Sequence, residues 1–301
     1  MAVETLTTPR SNLPNVFTDV NAREIDFVTR FAKNWEALRE IMGIMRPIKK
    51  QAGTVLKSYT ASVTLADGDV PEGAVIPYSK ATVVESLKAD LTLEKYAKAV
   101  TIEDVNRYGA EIAVEKTDDA FLSELQTKVM NEFYTFLSDD TSAMVSAEAT
   151  FQMAVAMAIG NVKNKFQEMH KDVTSIVVFV NTLDAYKYLG AANITVQSAF
   201  GIDYVKNFMG AQTLIMTSEV AEGTVIAVPS DNIVLYYIDP SDSDIAKLGL
   251  QYTTDGETNL IGFHANGNYT TAVGENFALM GLKLWAEYAD GIAIVTVDSN
   301  F

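Results

Sequence analysis

Apolar residues recur along this chain in two periods, and the switches between them outline the elements. Ile25, Val28, Ala32, Trp35, Leu38, Ile41 and Met45 follow one another at steps of three and four, which lines them along one helical face. The spacing predicts a helix over 22–42, opened by Asn21 and Glu24 as a capping-box-like pair and closed by Gly43 and Pro47. Ahead of it, Pro9 and Pro14 predict an extended start over 1–20. The period then changes to two. Val55, Tyr59, Ala61, Val63 and Leu65 alternate with Thr and Ser, and Val83, Leu87, Ala89, Leu91 and Leu93 alternate with polar residues. Two strands of about 12 residues, each roughly 40 Å long at about 3.3 Å per residue, are predicted. The stretch from Ala66 to Lys80 between them, with Gly68, Pro71, Gly73 and Pro77, reads as a disordered or adaptable tip. Two strands alone are marginal in water and leave open edges. Such a ribbon must lie on its own domain or on a neighbour, and its length favours the neighbour.

Thr101 and Asp104 open a second helix that runs to about Leu137, with an irregularity near Gly109. A polar break at Asp139–Ser142 precedes a third helix from about Ser146 to Met169. From residue 175 the texture becomes that of buried strands: Ile176–Val180, Thr213–Met216, Gly223–Val228 and Ile233–Ile238, with a short helix at Thr182–Leu189. A helix near Glu275–Tyr288 and a closing strand at Gly291–Val297 complete the reading.

Composition narrows the chemistry. The 301 residues include no cysteine and two histidines, His170 and His264. Disulfides, thiolate metal sites and cysteine nucleophiles are excluded, and most histidine-based catalysis with them. His170 reads as a helix-end residue and His264 as a loop residue. No phosphate loop, dinucleotide fingerprint, nucleophile elbow or zinc-protease motif occurs. Asp239, Asp242 and Asp244 lack the full calcium-loop pattern and read as a solvated turn, as do Asp67, Asp69 and Glu72. The sequons at Asn193 and Asn268 stand without a secretion signal. Trp35 and Trp285 sit in apolar helical patterns. Catalytic residues, metal ligands and cofactors are all expected to be none. No apolar run approaches a membrane span. The net charge of −16 disfavours a nucleic-acid-binding surface, yet the first 50 residues carry eight basic and six acidic side chains, which leaves −18 on the rest. A basic-leaning arm that meets an acidic partner is one reading of this asymmetry; a solvated helix is the other.

Three segments carry a family resemblance. Asp69-Val70-Pro71-Glu72-Gly73-Ala74-Val75-Ile76-Pro77 followed by Lys80-Ala81-Thr82 resembles the tip of an extended loop and the start of its return strand. Leu91-Thr92-Leu93-Glu94-Lys95-Tyr96-Ala97-Lys98-Ala99-Val100-Thr101-Ile102-Glu103-Asp104 resembles that strand entering a long helix, and Val177-Val178-Phe179-Val180-Asn181 resembles an inner strand. Together with the element order, they are similar to the major capsid proteins of tailed bacteriophages, with the Hong Kong 97-type capsid fold.

The resemblance implies an α+β fold: an N-terminal arm with helix (1–50), an extended hairpin loop (51–101), a peripheral domain with a long spine helix (102–172 and 263–301) and an axial α/β domain (173–262). It also implies a structural, non-enzymatic subunit that forms hexamers and pentamers of an icosahedral shell around double-stranded DNA. The setting would be the virion, with assembly in the host cytoplasm. Partners would be other copies, portal and scaffolding proteins, and DNA held only by weak non-specific proximity; no membrane is involved. A folded pattern beginning near residue 21 implies a separate scaffolding protein. Intersubunit contacts would come from Val70, Pro71, Glu72, Ile76, Tyr78 and Lys80 at the hairpin tip, and from Arg10, Arg23, Arg30, Trp35 and Arg39 on the arm. Some relatives cross-link through a loop lysine. Lys57, Lys80 and Lys88 qualify by type, but no partner asparagine can be matched, so no cross-link is expected. An encapsulin-like compartment shell and a cytosolic α/β carboxylate enzyme are the alternatives.

Overall fold

The structure, a computed structural model, describes residues 16–42, 47–139, 143–190, 196–199, 202–242, 247 and 249–297. Its first elements are helix α1 (Val16–Met42), strands β1 (Pro47–Lys50), β2 (Val55–Thr64), β3 (Lys80–Asp90) and β4 (Glu94–Thr101), and helix α2 (Ile102–Tyr108). A π-helical turn (Glu111–Lys116) leads into α3 (Thr117–Leu137), β5 (Met144–Glu148), α4 (Phe151–Glu168), β6 (Ile176–Asn181) and α5 (Thr182–Leu189). Strands complete the chain: β7 (Gln197–Ala199), β8 (Ile202–Phe208), β9 (Ala211–Thr217), β10 (Thr224–Pro229), β11 (Ile233–Ile238), β12 (Ile261–Asn268), β13 (Val273–Met280), β14 (Leu282–Ala286) and β15 (Ala293–Val297). Among the described residues, no helix is long and apolar enough to cross a membrane.

Several elements start where a side chain satisfies a free helix amide. Thr101 caps α2 by accepting from Asp104 N at 3.2 Å, and Thr150 caps α4 by accepting from Met153 N at 3.2 Å. Asn181 caps α5 by accepting from Leu183 N at 2.8 Å. The irregularity at Gly109 is a true break: its φ of +84° ends α2, and the π-helical turn follows before α3 begins.

The chain forms two compact units. One comprises residues up to Ala32, Lys95–Leu122 and Pro240–Leu279. It holds most of the sheet β12-β13-β4, and here Phe27 of α1 stacks on Phe263 with ring centroids 4.1 Å apart. The other unit is built on a seven-stranded sheet of order β5-β15-β10-β6-β9-β8-β7. All six residues of its central strand β6 are buried. One face of that sheet packs on Phe151, Val155, Ile159 and Phe166 of α4. On the other, Phe179 meets Phe133 and Tyr134 of α3 edge-on at 5.9 and 5.7 Å. A three-stranded sheet β1-β11-β14 and the two-stranded ribbon β2-β3 belong to the same unit.

The seven-stranded sheet itself joins β5 and β15 to β6, β9 and β10. Three expectations change. Residues 275–288 form no helix: they are β13 and β14, separated at Gly281. Ala278–Leu284 is apolar at both helical and alternate spacings, and tertiary packing decides between them. Gly281 leaves no room for a side chain, since a Cβ there would sit 2.9 Å from Ile238 Cδ1. The third helix starts at Phe151 because Met144–Glu148 pairs with β15 instead. Finally, α1 already includes Asn21, so Asn21 is no cap, and Glu24 has other partners.

Candidate assembly surface

The ribbon was predicted as two uninterrupted alternating strands. Its register is more specific. Leu56 pairs with Ala89 and Ser58 with Leu87; the next pair is Tyr59 with Glu85, followed by Ala61 with Val83 and Val63 with Ala81. Ser86 is thus an extra residue, a β-bulge in β3, while β2 continues without interruption. Return strand and entry into α2 are also separate: β3 stops at Asp90, Leu91 is buried, and β4 joins β13 in a different sheet.

Alternation along β2 places Leu56 on one face and Val55, Tyr59, Ala61 and Val63 on the other. Leu56 is buried with Leu91, Val234, Tyr236, Ile238 and Trp285, and Ala89 packs against the same cluster. Beyond this base the cover ends. From Ala61 to Glu85, every residue is exposed except Ala66 and Val70, which are half-buried. Leu65 is 80% exposed, Val75 89% and Tyr78 98%.

The tip is held by local turns. Asp67 Oδ1 accepts from Asp69 N at 3.0 Å, Pro71 O from Ala74 N at 3.0 Å, and Ser79 Oγ from Ala66 N at 3.2 Å. Gly73 supplies the φ of +85° at the third position of the Pro71–Ala74 turn, a conformation that L side chains resist. Of the six expected tip contacts, Pro71, Glu72, Ile76, Tyr78 and Lys80 are exposed and Val70 is half-buried. Lys57, at the ribbon's base, donates to Glu85 at 2.9 Å, and that hydrogen bond raises its pKa.

The arm residues are placed differently. Trp35 is 0% exposed and belongs to the core, so it presents no surface to a second copy. Arg23 donates two bonds to Asp118, Nε to Oδ2 at 2.6 Å and Nη2 to Oδ1 at 2.8 Å. Lys98 donates to the same carboxylate at 2.5 Å, and its own pKa is lowered, chiefly by burial. Arg30 pairs with Asp26 and Asp119. These cations hold α1 within its own chain because the acids that meet them, Asp118 and Asp119, open α3. Next to Arg23, the buried Glu24 accepts from Ala265 N at 2.6 Å and Thr253 Oγ1 at 2.5 Å, with His264 Nδ1 at 3.4 Å. His264 therefore lies on a strand, not in a loop. Arg10, and the side chain of Arg39, fall outside the described residues.

The remaining candidates give no catalytic grouping. Asp239 is buried and accepts from Lys49 at 2.7 Å, so it is not a solvated turn residue; Asp244 lies outside the described residues. His170 is exposed after α4. Among the described residues, no three or more acids and histidines gather as metal ligands would. A cavity of about 410 Å³ by α2 is lined mainly by aliphatic side chains, among them Val100, Ile102, Val105 and Val273.

No family model matches the chain, and no curated protein matches it in sequence. Solved structures do match in fold. A capsid chain of cyanophage A-1(L) superposes with a TM-score of 0.54 at 12% identity, covering 86% of this chain and 92% of that one. A chain of Mycobacterium phage Patience gives 0.51 at 10% identity, covering 94% and 89%. The chain of a virus-like particle from Pyrococcus furiosus gives 0.50 at 12% identity, covering 90% and 97%. This chain therefore has the α+β Hong Kong 97-type capsid fold, the fold of proteins that form closed shells.

Proposed function

We propose that this protein is a major capsid protein whose copies assemble, as hexamers and pentamers, into an icosahedral shell around packaged double-stranded DNA. The observation that carries the reading is the ribbon: its outer half is extended, largely apolar and exposed among the described residues. Leaving such a surface in water is unfavourable by about 25 cal/mol per Å² relative to burial, and contact between copies removes it. The fold's neighbours are shell subunits, which supports a structural role without catalysis. The net charge of −16 suits a wall that packaged DNA must not adhere to. The axial role would fall to the α/β sheet unit and the peripheral role to the unit holding β12-β13-β4. Scaffolding and portal proteins would be its assembly partners, in the host cytoplasm and then in the virion.

Electron microscopy of the purified chain tests this. Rings, tubes or shells are expected; a monodisperse monomer at high concentration would sink the proposal. Particles from the native source are expected to hold DNA, whereas a protein cargo would mark a compartment shell.

A further inference from the structure

The cavity of about 410 Å³ beside α2 lies wholly within the unit that holds most of the sheet β12-β13-β4, and its size falls in the usual range for small-molecule sites. Its walls come from α1, the join of β4 to α2, the π-helical turn, and the strands β12 and β13 with the turn between them. The protein's own bonds hold these walls in place. Ile102 N donates to Ala272 O at 3.3 Å, which ties the start of α2 to the β12–β13 turn. Within that turn Asn268 Oδ1 accepts from Thr270 N at 3.1 Å, and Asn268 Nδ2 donates to Glu275 at 3.0 Å. Ala272 keeps a φ of +52°, a strained conformation that persists only where the surroundings enforce it.

The interior is apolar except at two points. Asn276 is 2% exposed, and among the described residues its amide has no hydrogen-bond partner, a costly state for a buried polar group. Gly274, two residues earlier on β13 and therefore on the same face, has no side chain to fill the space beside it. The second point is Arg23. It gives Nε and Nη2 to Asp118, and Nη1 takes no part in that fork. Lys98 shares the same carboxylate, so the guanidinium's charge is only partly met there. Among the described residues that line the cavity, Arg23 alone is charged. The rim's other polar side chains are already engaged: Asn268 as above, and Thr101 Oγ1 with Asp104.

We infer that this cavity binds a medium-chain aliphatic monocarboxylate. Its head sits between Arg23 Nη1 and the Asn276 amide, and its tail lies against Val100, Ile102, Val105, Val114 and Val273. A cation and an unpartnered amide beside an aliphatic wall complement a carboxylate on a hydrocarbon chain, and a neutral alcohol forgoes the charge-assisted bond. The bound acid joins α1 to β13 through its head. The site belongs to one unit of a single chain, so the inference stands apart from the shell proposal.

Calorimetric titration of the purified chain with octanoate, decanoate and laurate, each below its micelle concentration, tests this. Affinity is expected to rise roughly fourfold per added methylene, the increment of burying one such group, and octanol is expected to bind at least tenfold more weakly than octanoate. Asn276→Leu keeps the side chain's size and removes the amide. Octanoate affinity should fall at least tenfold in that variant, while the melting temperature holds or rises because a buried unpartnered amide is gone. Val105→Phe fills part of the cavity and should weaken laurate at least tenfold, with wild-type circular dichroism. Equal affinity for the three acids, octanol binding as tightly as octanoate, or affinity unchanged in Asn276→Leu would each overturn the inference. Failure of the wild-type chain to bind any of the acids at millimolar concentration would also overturn it, and would leave the shell proposal standing.

Discussion

Replacing Asp118 by asparagine is expected to loosen α1 from the unit it helps to build. The Asp118 side chain is 5% exposed and receives both arms of the Arg23 fork and the Lys98 ammonium. Removing one partner of a buried ion pair costs about 3–5 kcal/mol, because the partner's charge is left without compensation. The Arg23 side chain keeps 31% of its surface, so water recovers part of that loss, and about 2–3 kcal/mol is the expected destabilisation for Asp118→Asn. Lys98→Met should cost less, about 1 kcal/mol. Burial already disfavours the Lys98 charge, the Arg23–Asp118 fork survives the change, and the main losses are bonds to Asp118 and Thr117. Urea unfolding followed by far-UV circular dichroism, below the assembly concentration, gives both values. Hydrogen exchange should rise across Lys95–Leu122 in Asp118→Asn. A loss under about 0.5 kcal/mol, or a Lys98→Met variant as damaged as Asp118→Asn, would refute the idea that this carboxylate organises the cluster.

Deleting residues 66–80 removes the tip but not the buried base at Leu56 and Ala89; helical content should be unchanged while electron microscopy shows assembly impaired, and normal shells would count against the tip's role. Tyr236, pushed up to about 12 by burial and then by Glu287, keeps its proton in the folded state where the unfolded chain releases it near pH 10. Its contribution is complete below about pH 10 and is lost as the pH rises towards 12, worth about 1–2 kcal/mol after allowance for solvent. Urea melts between pH 9 and 12 should therefore fall more steeply for wild type than for Tyr236→Phe, and parallel curves would argue otherwise. In Gly262→Ala, the new Cβ would lie 2.8 Å from Cβ atoms of Pro240 and Tyr252; overpacking of about 1–3 kcal/mol should lower the melting temperature by several degrees.

What could be read from the sequence follows from the range of the interactions involved. The helix start at Thr101, the break at Gly109, the short helix at Thr182–Leu189 and the continuous apolar strand at Ile176–Val180 are encoded within a few residues, and each is where the pattern places it. The partners of α1 are not local. Glu24 meets Ala265 across 241 positions and Arg23 meets Asp118 across 95; basic and acidic residues on a helix look alike whether they face solvent or a buried counterion. That is why the pattern alone does not reveal the ion pairs of Arg23 and Arg30 or the burial of Trp35 within the chain. β13 and β14 failed for the opposite reason, since their dense apolar residues satisfy both periods and only Gly281 packed under Ile238 marks the corner. The ribbon was legible in its strands but not in its faces. Nothing about Ser86 announces an extra residue, yet that residue sends Ala89 and Val83, two positions of one alternating run, to opposite sides of the register.

A surface that associates must also avoid associating wrongly, and the ribbon's composition is consistent with both demands. Its two strands make a sheet of their own, so each has an open edge that invites unregistered pairing with other chains. Lys57 lies opposite Lys88, with Glu85 bound to Lys57, and Lys80 opens β3. Charged side chains at such positions disfavour strand addition along the edges, while beyond Glu85 the positions Ala61, Val63, Ala81 and Val83 on the same face carry no charge. In the proposed shell, contact would thereby be directed to a face, whose geometry is fixed by register, rather than to a backbone edge, which any extended segment can match. The rest of the chain repels its copies through its negative charge, with a reach of about 10 Å at 0.1 M salt. In the proposed shell, repulsion between the bodies and attraction at apolar surfaces would together favour contacts that are individually weak and geometrically unique. A closed shell requires that combination, because a subunit misplaced early has to leave before its neighbours enclose it.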